Sequence, residues 1–394
     1  MSVEVIMPTR RQILGSMAAL PLMGLAFPQV SWATRARGDA RFAFVVLRGA
    51  LDGLAAVPAY GDGDFVRHRG PASDRLTLDD TFGLNPALPH LHEMYGKHEA
   101  LVLHAVATPY RQRSHFSGQD VLESGLSSEI GTRDGWLGRA LPRNAAGVRA
   151  MALGEAVPLV LRGGPGVSSW APMRENVLDD DTLHRIEALY GDDQLLSRSL
   201  AAALNTGQIA REGGLDENGP ALSGPRERFL GLMTAAGRFL AAPDGPRIAV
   251  IDIGGWDTHN QQAGRLKRQL AILDDGLAAL RDNLGAAWGQ TAVLLATEFG
   301  RTAAINGTGG TDHGTGAAAF LAGGAVAGGR VIADWPGLAD GQLFEARDLR
   351  PTTDLRAVAK GVLRDHLNLA RADLDRTVFP DSAAVRPMDG LIRG

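Results

Sequence analysis

The sequence predicts a three-layer α/β/α sandwich built on a mostly parallel central sheet. Two observations lead to this fold: short apolar runs recur along the chain, and stretches with helical periodicity lie between them. Continuous apolar runs are typical of strands that are buried on both faces, as they are in a parallel sheet. The runs predicted as strands are Phe42–Leu47, Ala100–His104, Ile248–Ile253 and Ala292–Thr297.

Helices are predicted where apolar residues recur at spacings of three and four. These stretches are Pro86–His98, Asp181–Leu204, Pro225–Ala242, Gln261–Leu284 and Asp354–Leu369. The glycine-rich stretch Gly207–Gly224 interrupts the periodicity and is predicted as an exposed loop. We expect one domain over residues 34–394, in which about 125–245 forms a mainly helical insertion or cap.

Residues 1–33 have the composition of an export signal. Arg10 and Arg11 precede the apolar run Ile13–Phe27, and small residues follow at Ser31 and Ala33. That run is about 15 residues long, shorter than the roughly 20 that a membrane-spanning helix needs. The pattern predicts a cleaved twin-arginine signal peptide, with the twin-arginine translocase as a partner during export. We therefore expect a periplasmic or secreted protein without a stable membrane span after cleavage.

Composition excludes several classes of site. The 394 residues include no cysteine, which rules out thiolate zinc sites, iron–sulfur clusters and cysteine nucleophiles. Any metal must be bound by nitrogen and oxygen ligands. With 40 Lys and Arg against 44 Asp and Glu, the net charge is −4. No basic field attracts polyanions, so no nucleic-acid partner is expected.

Polar residues that follow the predicted strands are the first candidates for a site, because ligands collect at the carboxyl ends of such strands. Asp52 follows the first strand in a glycine-containing turn, where it is either a turn residue or a ligand. Asp257 and His259 follow the third, where they can bind one metal or begin a helix. Glu298 ends the fourth strand, and Arg301 lies just behind it.

Two further segments carry reactive side chains. Ser114 and Ser117 stand where the second strand leads into a helix, and either can be a helix cap or a nucleophile. His115 beside Ser114 is a candidate ligand or base. Arg111 and Arg113 suit the oxygens of a phosphate or sulfate group. Asp312 and His313 lie in a glycine-rich loop, and we interpret them as a second carboxylate–imidazole pair. Asp312 either binds the metal or orients His313.

Six motifs of this chain resemble the bacterial family of exported proteins called domain of unknown function 1501. In chain order they are Leu47-Arg-Gly-Ala-Leu-Asp-Gly53, Arg113-Ser-His-Phe-x-x-Gln-Asp120, Gly255-Trp-Asp-Thr-His259, Thr297-Glu-Phe-Gly-Arg-Thr302, Gly309-Gly-Thr-Asp-His-Gly314 and Pro351-Thr-Thr-Asp-Leu-Arg356. That family is similar, more distantly, to the alkaline phosphatase and sulfatase superfamily, whose α/β/α sandwich binds metals at the carboxyl ends of its strands.

The resemblance implies roles for individual residues of this chain. It implies that Ser114 is the nucleophile at a helix start. The implied metal ligands are Asp52, Asp257, His259, Glu298 and His313. One departure from the superfamily is that Phe299 follows Glu298, where alkaline phosphatases have a histidine. Another is that Ala107–Arg111 begins with alanine where sulfatases have cysteine or serine, so formylglycine chemistry is not expected.

The hypothesis from sequence is a metal-dependent hydrolase of phosphate or sulfate esters that acts on a small anionic ester substrate. A divalent ion such as zinc, manganese or calcium would activate Ser114 or a metal-bound water as the nucleophile. Arg111, Arg113 or Arg301 would hold the anionic oxygens. The alternative is a non-catalytic exported binding or assembly protein that keeps the fold and a structural metal.

Overall fold

The computed structural model describes residues 39–128, 131–143, 148–172, 186, 189–190, 193–212 and 224–394. The predicted signal peptide over 1–33 lies outside these residues and stays a prediction. Within the described residues, no helix has both the length and the apolar character needed to cross a membrane.

A nine-stranded mixed sheet forms the centre of the fold. Its strands are β1 (Arg41–Leu47), β4 (Ala100–Ala107), β5 (Ala150–Leu153), β6 (Val167–Trp170), β7 (Ile248–Ile253), β8 (Thr291–Ala296), β9 (Ala317–Ala322), β10 (Arg330–Ile332) and β11 (Thr353–Asp354). A separate hairpin consists of β2 (Leu76–Thr77) and β3 (Gly83–Leu84). The four strands predicted from sequence are confirmed.

The strand order is β10-β4-β9-β8-β1-β7-β5-β6, with β11 also paired to β4. All of these pairings are parallel except the two made by β9, which runs antiparallel to β4 and to β8. The amino end of β9 therefore lies at the same edge of the sheet as the carboxyl ends of β4 and β8. Residues that precede β9 can thus meet residues that follow the parallel strands.

Helices cover both faces of the sheet. They are α1 (Gly53–Ala56), α2 (Phe65–Arg69), α3 (Pro89–Gly96), α4 (His115–Ser124), α5 (Trp136–Ala140), α6 (Gln194–Glu212), α7 (Pro225–Ala241), α8 (Gln262–Leu284), α9 (Leu355–Asp365) and α10 (Arg371–Asp373). Four of the five predicted helices agree with these bounds to within a few residues. The fifth, predicted over 181–204, overlaps α6, and part of its range lies outside the described residues. Because α6 continues to Glu212, the predicted loop Gly207–Gly224 is wrong over its first six residues, and 213–223 lie outside the described residues.

Alternate residues of β1 belong to two different cores, which explains why this strand is apolar from Phe42 to Leu47. Ala43, Val45 and Leu47 pack in a core with residues of α3, α7 and α8. Phe42 and Phe44 point to the opposite face, where the core includes residues of α4, α5 and α9. The two cores with the sheet between them make the three layers that the sequence predicts.

The range 125–245 contributes to the sheet as well as to the helices. Its described part contains α5, α6 and α7, and also β5 and β6, which form one edge of the sheet. Both strands are only four residues long, which is too short to produce a distinct sequence pattern. That the range as a whole acts as an insertion or cap stays a prediction.

His104 is a core residue of β4. It is fully buried, its Nε2 lies 3.0 Å from the Val57 carbonyl oxygen, and its Nδ1 accepts a hydrogen bond from the Ala105 N–H at 2.8 Å. The rings of Phe82 and Trp335 lie 5.4 and 5.0 Å from its own ring. These contacts require the neutral imidazole, and burial lowers the pKa of His104 from 6.5 to about 4.

This buried histidine makes stability depend on pH. Between the two pKa values the unfolded chain binds a proton that the folded protein does not, so the free energy of unfolding falls as the pH drops from 6.5 toward 4. The expected loss is about 3 kcal/mol. Urea unfolding at several pH values measures it, and His104→Gln, which keeps a donor for Val57, should remove this part of the pH dependence. An equal pH dependence in that variant would contradict the assignment.

Candidate metal centre

Five polar side chains meet at the edge of the sheet where the parallel strands end. His115 follows β4 as the first residue of α4, Asp257 and His259 follow β7, and Glu298 follows β8. His313 lies four residues before β9 and reaches the same edge because β9 is antiparallel. The topology thus brings together residues that are up to 198 positions apart in the chain.

Three imidazoles and one carboxylate point at one another. The Nε2 atom of His313 lies 3.0 Å from Nε2 of His115 and 3.0 Å from Nε2 of His259. Asp257 Oδ1 lies 3.0 Å from Nε2 of His259, 3.3 Å from Nε2 of His313 and 3.5 Å from Nε2 of His115. Among the described residues, the group whose ligand atoms all lie within 4.8 Å of one another consists of His115, Asp257 and His313, and His259 joins it through its contacts with Asp257 and His313. We call His115, Asp257, His259 and His313 the histidine cluster.

The other ring nitrogen of each imidazole contacts an oxygen acceptor. Glu298 Oε1 lies 2.8 Å from Nδ1 of His115, Asp312 Oδ1 lies 3.2 Å from Nδ1 of His259, and the Arg113 carbonyl oxygen lies 2.8 Å from Nδ1 of His313. An acceptor at Nδ1 places the proton on that atom and leaves the lone pair on Nε2. The Nε2 lone pair of His313 then faces those of His115 and His259, which repel it, whereas a cation beside these atoms is attracted to the lone pairs. Such outer acceptors are typical of metal-binding histidines.

Asp257 supplies the negative charge of the cluster. Its Oδ1 accepts a hydrogen bond from Arg301 Nη1 at 2.7 Å. Burial would raise the pKa of Asp257, but the Arg301 guanidinium outweighs it and lowers that pKa below its ordinary value. The aspartate is therefore ionised at neutral pH and available to a cation.

The two ends of the cluster differ in proton affinity. The hydrogen bond to Glu298 raises the pKa of His115, whereas burial lowers the pKa of His313. Of these two imidazoles, His115 therefore holds a second proton more readily than His313 does. A metal ion binds only the deprotonated nitrogen, so its binding competes with protonation of His115.

The predicted ligand Asp52 lies outside the cluster. Its Oδ1 accepts the Ala55 N–H at 3.1 Å and caps α1, while its Oδ2 contacts Arg69 Nη1 at 2.6 Å and Gln262 Nε2 at 2.7 Å. Burial alone would raise the pKa of Asp52, but the pair with Arg69 lowers it. Both carboxylate oxygens are thus engaged in a buried structural network instead of facing the imidazoles.

Glu298 and Asp312, also predicted as ligands, contact the outer sides of the imidazoles. The Glu298 carboxylate is fully buried and orients His115 through Nδ1. Burial favours its protonated form, but hydrogen bonds led by the one from His115 lower its pKa. Asp312 orients His259, not His313 as the sequence suggested.

The three arginines predicted to hold the substrate anion are engaged in internal contacts. Arg111 donates to the carbonyl oxygens of Thr108 and Tyr110. Arg113 Nη2 lies 2.8 Å from the buried carboxylate of Asp348, and its guanidinium also pairs with Glu345. Of these two, Arg113 contacts the cluster through its backbone carbonyl oxygen, which lies 2.8 Å from Nδ1 of His313.

Arg301 supports the histidine cluster through its contact with Asp257. Its side chain is fully buried, its Nη1 contacts Asp257, and its Nη2 donates to the Thr311 carbonyl oxygen at 2.8 Å. Its Nε also donates to the Thr311 hydroxyl at 3.2 Å. Arg301 therefore links Asp257, which follows β7, to Thr311 in the glycine-rich loop before β9.

Ser114 precedes His115 directly and is exposed. Its backbone N–H donates to the Tyr110 hydroxyl at 3.1 Å, and its side chain makes no capping hydrogen bond to α4. Ser114 thus occupies the N-cap position of α4, as the sequence predicts, but its hydroxyl does not satisfy a backbone N–H of the helix. The role of Ser114 as nucleophile stays a prediction.

Sequence reasoning missed Gln119, which donates to Glu298 Oε1 at 3.1 Å. One signal pointed to it: Gln119 lies four residues after His115 on the same helix, so both side chains project from one face of α4. It also missed Thr297, whose hydroxyl donates to Glu298 Oε2 at 2.8 Å and which had been assigned only to the strand.

Comparison with solved structures finds fold-level similarity at low sequence identity. A 2-O GAG sulfatase has a TM-score of 0.42 at 11% identity, covering 89% of this chain and 76% of that one. The phosphonate monoester hydrolase of Agrobacterium radiobacter has a TM-score of 0.38 at 13% identity, with 84% and 74% covered. The C-terminal periplasmic domain of EcEptC from Escherichia coli, in complex with Zn, has a TM-score of 0.38 at 9% identity, with 72% and 73% covered.

No curated protein matches the sequence. The model of one protein family, described as protein of unknown function (DUF1501), matches residues 100–378. That match covers more than half of the 394 residues and includes every residue of the histidine cluster. The chain therefore belongs to the DUF1501 family.

Proposed function

We propose that this protein is an exported, metal-dependent hydrolase of phosphate or sulfate esters. The observation that supports it best is the convergence of three imidazole Nε2 atoms and one carboxylate oxygen, with each Nδ1 bound to an oxygen acceptor. The proposed export rests on the twin-arginine pattern of residues 1–33 and gives a periplasmic or secreted location.

The donor set fits a nitrogen-preferring divalent ion. Zinc is bound by imidazole and carboxylate groups in four-coordinate sites, and manganese also accepts such ligands. Calcium takes six to eight oxygen ligands. His115, Asp257, His259 and His313 offer three nitrogens and one carboxylate, so of the three metals expected from sequence, zinc and manganese fit better than calcium.

The residues of the chain have separate tasks in this proposal. The histidine cluster holds the ion, which when bound polarises an ester oxygen and lowers the pKa of the attacking group. Arg301 keeps Asp257 ionised and in place. Glu298 and Asp312 fix the tautomers of His115 and His259. Ser114, exposed beside the cluster, or a water molecule supplies the nucleophile.

Metal analysis of the mature protein tests the proposal. The protein is purified after export, without added metal or a histidine tag, beside an Asp257→Ala/His259→Ala variant and a His90→Ala control on α3. We expect about one equivalent of zinc or manganese in the wild type and the control, and none in the double variant. The two metal-containing proteins should hydrolyse aryl phosphate or aryl sulfate esters.

Two outcomes would decide against this function. If the wild type contained no metal and took none up on incubation, the metallohydrolase would be excluded. Stoichiometric metal without turnover on either ester class would favour the alternative, a non-catalytic binding or assembly protein with a structural metal.

Ser114→Ala identifies the nucleophile. If the Ser114 hydroxyl attacks the ester, we expect kcat to fall more than about 1,000-fold while metal content stays unchanged, because the side chain makes no capping contact. Steady-state kinetics and elemental analysis on the same sample measure both quantities. Unchanged kcat would exclude the serine and assign the attack to water.

A further inference from the structure

A continuous hydrogen-bond chain joins the end of β1 to the histidine cluster. Arg48 Nη1 donates to Gln119 Oε1 at 3.0 Å, and Gln119 Nε2 donates to Glu298 Oε1 at 3.1 Å. The same Glu298 oxygen accepts the hydrogen bond from His115 Nδ1 at 2.8 Å. Arg48 follows β1, Gln119 lies in α4 and Glu298 follows β8, so the chain of hydrogen bonds exists only in the folded protein.

The partners on its two sides determine how the Gln119 amide is oriented. A guanidinium only donates hydrogen bonds, so Arg48 must face the amide oxygen. An ionised carboxylate only accepts them, so Glu298 must face the amide nitrogen. Neither a leucine nor a glutamate at position 119 can make both contacts. This is a specific requirement for glutamine between a cation and an anion.

Arg48 is itself held in place. Its Nη1 pairs with the buried carboxylate of Glu123 at 2.7 Å, and its Nε pairs with Asp252 at 2.7 Å. The other Glu123 oxygen accepts the Val160 N–H at 3.1 Å. The guanidinium therefore has a fixed position from which it can orient the Gln119 amide.

Glu298 Oε1 is the point on which these contacts converge. Besides His115 and Gln119 it accepts the backbone N–H of Gly49 at 2.9 Å. Loss of the Gln119 donor would leave the carboxylate less firmly oriented, and the direction of the His115 ring depends on that carboxylate. Neither Arg48 nor Gln119 reaches the Nε2 atoms directly, so any effect of theirs must pass through Glu298.

We infer that Gln119 and Arg48 are positioning residues for the metal centre, which act on His115 through Glu298 and increase the affinity for the ion. This inference rests on the proposed metal site. Residues that orient metal-binding histidines typically contribute about 10- to 100-fold in metal affinity. Here the group that orients His115 consists of the Glu298 carboxylate and, behind it, Gln119 and Arg48.

Metal affinity of Gln119→Leu is the direct test. We expect Zn²⁺ affinity, measured by competition with a chromophoric chelator, to fall about 10- to 100-fold relative to the wild type. The visible spectrum of the Co²⁺-substituted protein should change as well, because the His115 ligand changes direction. Gln112→Leu is the matched control, since Gln112 is exposed on the segment before α4 and should bind as the wild type does.

Arg48→Lys is a milder second variant for the case that Gln119→Leu does not fold. Lysine keeps the charge beside Glu123 and Asp252 but lacks the planar fork that reaches Gln119. We expect Arg48→Lys to lose less Zn²⁺ affinity than Gln119→Leu does. In the double variant the two losses should not add, because both remove the same contact chain. Urea unfolding of the metal-free proteins separates this effect from a general loss of stability.

The outcomes separate the two proposals. If the wild type binds Zn²⁺ and both variants bind it equally well, the positioning role is overturned while the metal site stands. A lower stability of the metal-free variants with unchanged Zn²⁺ affinity would also overturn it, since that is what a purely structural role produces. If the wild type binds no metal, both proposals fail.

Discussion

His313→Ala should lower the metal affinity of this protein more than any other single change. His313 Nε2 contacts the ligand atoms of all three other members of the histidine cluster, at 3.0, 3.0 and 3.3 Å. Its removal takes away a ligand and also the group around which the others are arranged. Because replacing an outer orienting residue already costs 10- to 100-fold, we expect the loss here to exceed about 100-fold.

Isothermal titration of metal-free protein with Zn²⁺ measures this change, and ester hydrolysis at saturating and limiting metal shows its effect on turnover. His90→Ala, on α3 and outside the cluster, serves as the control. If His313→Ala retained wild-type affinity, the imidazoles would not be acting as one site. The cluster would then be a hydrogen-bonded group of histidines and not a metal centre.

Asp52→Ala is expected to give the largest loss of stability. Asp52 and Arg69 form a pair in which the side chains are 1% and 5% exposed. Removing the carboxylate leaves the Arg69 guanidinium buried without its counter-charge, which typically costs 3–5 kcal/mol. The variant also loses the cap of α1, worth about 1 kcal/mol. Urea unfolding of metal-free protein measures the change in the free energy of unfolding.

The same variant tests the correction to the sequence-based assignment. If Asp52 is structural, the Zn²⁺ affinity of the protein that remains folded should stay close to that of the wild type. Asp340→Ala is the matched control, because its pair with Arg67 is exposed to solvent and should contribute little to stability. A large loss of metal affinity with little loss of stability would restore Asp52 as a ligand.

Much of the fold follows from local sequence pattern. Strand β8 is apolar from Ala292 to Ala296 because it contacts a core on both faces, and that pattern is visible without any tertiary information. β9 was not predicted as a strand, although its sequence is apolar. Its direction depends on the neighbours between which it inserts, and a run of alanines does not encode that choice.

The candidate site was predictable in its location but not in its internal roles. Asp257, His259 and His313 were expected at the sheet edge from the position of their motifs, and the structure brings them together. Arg113 was expected to face an anion, yet it pairs with Asp348, 235 residues later in the chain. Nothing in the local sequence of Arg113 identifies that partner.

The sequence by itself determined which residue types stand at the strand ends, and hence that nitrogen and oxygen ligands meet at one edge of a parallel sheet. Only the tertiary structure decided which of them face the centre and which lie behind it. The direction of each of these side chains depends on the partner that contacts its other polar atom. For His115 that partner is Glu298, 183 residues away, and for Asp52 it includes Gln262, 210 residues away. Such pairings arise from strand order and loop packing, which are set by the fold as a whole.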